Sequence, residues 1–124
     1  MNLQMSRNAY ARPEAPVRSA RAIEYDLLAR TTQRLALAWA QREKDFPGLV
    51  AALSDNQQVW SAFAIDVADA ANALPAPLRA RLFYLYEFTA QHTRKVLEDG
   101  ASPEVLTDIN IAIMRGLRGD GAQA

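Results

Sequence analysis

His92 is the only histidine in a chain of 124 residues that has no cysteine. It falls between Phe88 and Val96, beside the apolar stripe of a helical segment. A histidine there could act as a general base only with a nucleophile to activate. No thiol exists, and Ser54, Ser61 and Ser102 sit in no nucleophile-elbow context. Asp66 and Asp69, three positions apart, share a helical face and could hold a cation. Metal sites need more converging ligands, and no histidine lies near them in sequence. The five glycines are Gly48, Gly100, Gly116, Gly119 and Gly121, and they form no phosphate-cradling loop. These residues predict a partly buried, hydrogen-bonded histidine and a solvated acidic face. They predict no catalytic, cofactor-binding or metal site, and the chain reads as a non-enzyme.

The elements that must position such residues are helices. Strand signals are nearly absent, and alanine occurs 24 times. Residues 1–16 are polar and small, with Pro13 and Pro16, and read as a flexible arm. From Val17 an apolar face recurs at spacings of three and four through Ala20, Glu24, Leu27, Leu28, Thr31, Leu35, Ala38 and Trp39. That predicts a first helix to about Lys44, ended by Phe46-Pro47-Gly48, with one or two turns over "LVAALS". Ser54 followed by Gln57 fits a capping box opening the next helix, to about Ala73. Its stripe is Val59, Phe63, Val67, Ala70, Ala71 and Leu74, with Trp60 at the edge. "NALPAP" breaks it, since proline cannot continue a helix and restricts the residue before it. A third helix is predicted from about Pro77 to Glu98, with Leu78, Leu82, Leu85, Tyr86, Thr89, Thr93 and Val96 inward. Leu74 and Leu78 should then be buried on either side of the turn. Gly100 suits a left-handed cap, and Ser102-Pro103-Glu104 opens a last helix to about Leu117. The fold class is all-α, a compact helical bundle of four main helices with short connections, over residues 17–118. Residues 119–124 read as a frayed tail.

Two surfaces have two readings: a central helix buried by three neighbours together with scattered single apolar residues, or surface that meets another protein. In "LFYLYEF" Phe83, Tyr84 and Phe88 fall outside the central stripe. In "TDINIAIMRGL" Asn110, Ile111 and Met114 are read on the side opposite Val105, Ile109, Ala112 and Ile113. Ile23, Leu37 and Ile65 raise the same question. Contiguous exposed apolar surface marks interaction sites. Tyr84, Phe88, Ile111 and Met114 are therefore the candidate partner-binding residues, methionine being adaptable to varied partners. Charge argues against a nucleic-acid partner: 14 basic residues balance 14 acidic ones, and a nucleic-acid protein shows a basic face or tail. No apolar run reaches 18 residues, so no membrane span is predicted. The N-terminus lacks an apolar core of signal-peptide length, so the reading is cytoplasmic.

Three pieces, "EAPVRSARAIEYDLLARTT", "LSDNQQVWSAFAIDVADAANALPAPLRARL" and "DINIAIMRGL", together resemble the FlaF family of flagellar biosynthesis proteins. The carrying residues are Glu24 and Tyr25; Asn56 and Trp60; Asn72, Leu74, Pro75, Leu78, Arg79 and Ala80; and Ile109, Asn110, Gly116 and Leu117. The resemblance covers residues 9–118. It implies a secretion chaperone that binds flagellin in the cytoplasm and supports flagellin synthesis and export, alongside the regulator FlbT. An amphipathic segment that folds on binding suits a helical groove. Two other readings stay open at this point: a post-transcriptional regulator acting with FlbT or on RNA, and a helical module that self-associates through its spare apolar faces.

Overall fold

A computed structural model describes residues 15–117, and side chains from 24 to 116. The flexible arm, the frayed tail and Ile23 fall wholly or mostly outside these described residues. Four helices succeed one another: α1, Ala15–Ala40; α2, Phe46–Ala68; α3, Ala76–Asp99; and α4, Glu104–Leu117. No strand interrupts them among the described residues. The all-α bundle of four helices expected from the sequence is the observed fold.

The pairing of helices sets the architecture. α2 packs against α1 on one flank and α3 on the other, and α4 packs along α1. α3 and α4 do not pack along each other. The deepest cluster draws on all four helices at the end where short turns join them: Leu35 of α1, Leu49, Ala52 and Leu53 of α2, Val96 of α3 and Leu106 of α4. Val105, Leu97 and Ala101 pack against it.

Several local expectations are corrected. α2 does not start at Ser54, and "LVAALS" runs into the rest of α2 without a break. The N-cap is Asp45, whose carboxylate accepts the Gly48 backbone N–H at 2.9 Å. Pro47 sits in the first turn, where its missing N–H costs nothing. Phe46-Pro47-Gly48 thus opens α2, and the turn that closes α1 lies just before it. Ser54 is exposed, and Gln57 is approached by the Thr93 hydroxyl. α2 ends at Ala68, not Ala73, because Asp69 turns extended and its carboxylate caps the Ala71 N–H. Leu74 and Leu78 are 38% and 40% exposed, so the turn they flank is not core. Leu27 is also exposed, while Trp60 lies at the centre of its stripe and not at the edge, fully buried.

The α3–α4 connection matches its sequence signals. Gly100 is left-handed, φ 73°, with its N–H bonded to the Val96 carbonyl and the Ala101 N–H to that of Lys95. Ser102 Oγ accepts the Glu104 N–H, capping α4.

Candidate functional site

The most ordered chemistry in the molecule is a buried amide hub. Asn110 of α4 is fully buried, which corrects its assignment to a free face. The α4 stripe that enters the core runs through Leu106 and Asn110, with Ala112 left exposed. Trp60 Nε1 donates to Asn110 Oδ1 at 2.9 Å. Asn110 Nδ2 donates to Asn56 Oδ1 at 2.7 Å and to Thr32 Oγ1 at 3.2 Å. One side-chain amide thereby ties α4 to both α1 and α2. Buried polar groups must be paired, so the hub fixes the register of three helices. Asn56 Nδ2 is buried without a partner. The bonds of the hub join side chains of α1, α2 and α4 to one another.

His92 behaves as a structural residue. Its Nε2 lies 2.7 Å from the Ser102 carbonyl oxygen, an acceptor, so Nε2 carries the proton it donates. Its ring stacks on Phe88 at 5.8 Å. Asp66 accepts from Asn72, and Asp69 is engaged with Ala71. Among the described residues no three metal-ligating side chains converge.

The bond from His92 orients α3. The flank that bears His92 points toward the start of α4. Phe88 stacks one turn earlier on that flank, and Tyr84, 64% exposed, lies one turn earlier again. On α4 two rows flank the Leu106–Asn110 stripe. Thr107 lines a recess of about 230 Å³ with Ala36 and Trp39 of α1. Ile111 and Met114 continue that row, so they lie on the α1 side; Ile111 is 37% exposed and Met114 half-buried. Val105, Ile109 and Ile113 form the opposite row. Tyr84 and Phe88 lie on the His92 flank of α3, and Ile111 and Met114 continue the Thr107 row of α4.

Leu85, Phe88, Ile109 and Ile113 are each half-buried. From Leu82 to Val96, α3 carries seven Leu, Val, Phe and Tyr side chains, yet only Thr89 and Val96 are fully buried on this helix. Periodicity assigns Ile109 and Ile113 to the core. α3 packs chiefly on α2 and meets α4 in the core cluster through Val96 and Leu106.

The hub residues Asn56, Trp60 and Asn110 occupy motif positions of the FlaF resemblance, and the fold brings them together across helices distant in sequence. The family model described as "Flagellar protein FlaF" matches residues 6–117. The chain belongs to the FlaF family. Its role is accordingly in flagellar biogenesis. No curated protein and no solved structure matches this FlaF chain. No helix among the described residues is long and apolar enough to cross a membrane.

Proposed function

We propose that this FlaF protein is a non-enzymatic chaperone that binds flagellin in the cytoplasm before export, and that the α3–α4 cleft receives it. The observation that carries the reading is apolar surface on neighbouring helices: Phe83 and Tyr84 are exposed and Leu85 and Phe88 half-buried on α3, and Ile109 and Ile113 are half-buried on α4. A gap between two helices suits the apolar face of a third. A disordered flagellin segment that folds there gains its contact surface at the moment of binding. Tyr84 and Phe88 form the rim, and aromatic side chains are favoured anchors in such grooves.

The test is titration of flagellin against the protein and against a Phe88→Ser, Ile113→Ser double variant, with helical content checked by circular dichroism. Affinity should fall at least tenfold, about 1.4 kcal/mol. Normal binding by the folded double variant removes the cleft from the mechanism. Retention of FlbT and not flagellin on the parent protein would assign the cleft to the regulator.

A further inference from the structure

The α1–α2 pair has two sides, and α4 covers one. On α1, Thr32 meets Asn110; Arg30 and Arg34, each two residues away, point about 200° around the axis. On α2, Trp60 meets Asn110; Gln58 and Ala62, each two residues away, point backward in the same way. These backward rows wall a groove of about 320 Å³ whose floor includes Leu27, Thr31 and Val59. Ile65 extends the Gln58–Ala62 row by one turn and is 75% exposed, the highest value among the large apolar side chains described. Leu27, which also lines the groove, is 40% exposed.

The charges on this back face identify its occupant. Arg34 pairs with Asp55 across the groove. Asp26 and Arg30, one turn apart on the exposed side of α1, take part in no ion pair among the described residues; Arg30 Nε donates to the Asp26 backbone carbonyl at 3.4 Å, which leaves both side-chain charges facing solvent. One residual charge of each sign along a helix is complementary to the same helix reversed. A two-fold axis supplies that reversal, because it makes each residue meet its opposite number twice. We propose that the back of the α1–α2 pair is a homodimer interface, with Asp26 of each copy against Arg30 of the other and Leu27, Ala62 and Ile65 covered between them. The two α1–α2 pairs then form a four-helix layer, and the α3–α4 cleft of each copy stays open on the far side.

The experiment is sedimentation of the full chain with three variants, each checked for unchanged melting: Arg30→Asp, Asp26→Arg, and the double exchange. The parent should dimerise, less strongly as salt rises. Each single variant should associate at least tenfold more weakly, because it sets like charges face to face. The double exchange should recover the parent's behaviour. An equimolar mixture of the two single variants should also dimerise, since a helix with two acids at these positions then meets a helix with two arginines. A parent that remains monomeric to about 1 mM, a Kd too weak for function, overturns the proposal. So do single variants that dimerise like the parent, or a folded mixture that does not associate. Flagellin titration of the single variants keeps this result separate from the chaperone reading, because neither residue borders the cleft.

Discussion

Asn110 serves three partners, and its loss should be felt by all of them. Asn110→Ala removes the acceptor for Trp60 Nε1 and the donor for Asn56 and Thr32. Each buried polar group left unpaired costs about 1–3 kcal/mol. We expect a loss of about 3 kcal/mol or more in urea unfolding, with Trp60 fluorescence reporting the transition. Trp60→Phe removes one bond of the hub and should cost less than Asn110→Ala. If Asn110→Ala melts like the parent, the hub contributes nothing to stability. His92 stands lower on the same scale. His92→Gln can still donate toward the Ser102 carbonyl, so stability should change by about 1 kcal/mol, with flagellin binding and motility near those of the parent. A folded His92→Gln protein that fails to support motility would give His92 a functional role.

At the level of elements, the Asp45 cap contributes to stability and the proline turn adds little, since Leu74 and Leu78 are partly in water. Asp45→Ala should cost about 1 kcal/mol, the usual value of an N-cap side chain, read as a lowered urea midpoint. Leu78→Asp should be tolerated far better than a core charge, because Leu78 is partly in water; global unfolding of that variant would mean Leu78 is buried in solution. The sequence made some of these elements legible and obscured others. Gly100 and Ser102-Pro103 announced the α3–α4 turn because each signal has a single local use. Ser54 and Gln57 misled because a capping box is also an ordinary pair of helix-surface residues, and Asp45 with Pro47 had already opened the helix. Asn110 was misplaced because apolar periodicity ranks asparagine as outward, and its partners lie in helices far away in sequence. Of the residues of the proposed cleft, Tyr84 and Phe88 stood out in the sequence as surplus aromatics. Ile109 and Ile113 did not, because periodicity cannot tell a covered core row from a cleft wall.

The whole molecule is a four-helix bundle, and a ligand that binds the folded state at the proposed α3–α4 cleft stabilises the fold. A flagellin segment present at about 100 times its Kd should add about 2.7 kcal/mol, which for a domain of this size raises the melting temperature by several degrees. A thermal scan with and without flagellin reads this, and an unchanged midpoint at saturating flagellin would contradict binding to the folded state. The hub also bears on how the chain is made. Thr32, Asn56 and Trp60 all precede Asn110 in the chain, the farthest by 78 positions. During synthesis they leave the ribosome first and wait, with α1, α2 and α3 already translated, for one amide carried on α4. The nascent chain therefore leaves the Trp60 indole N–H without its Asn110 partner, and the core without Leu106, until α4 emerges. A ribosome-bound chain stalled before α4 should show solvent-exposed tryptophan emission and protease sensitivity, and both should vanish once α4 is clear of the exit tunnel.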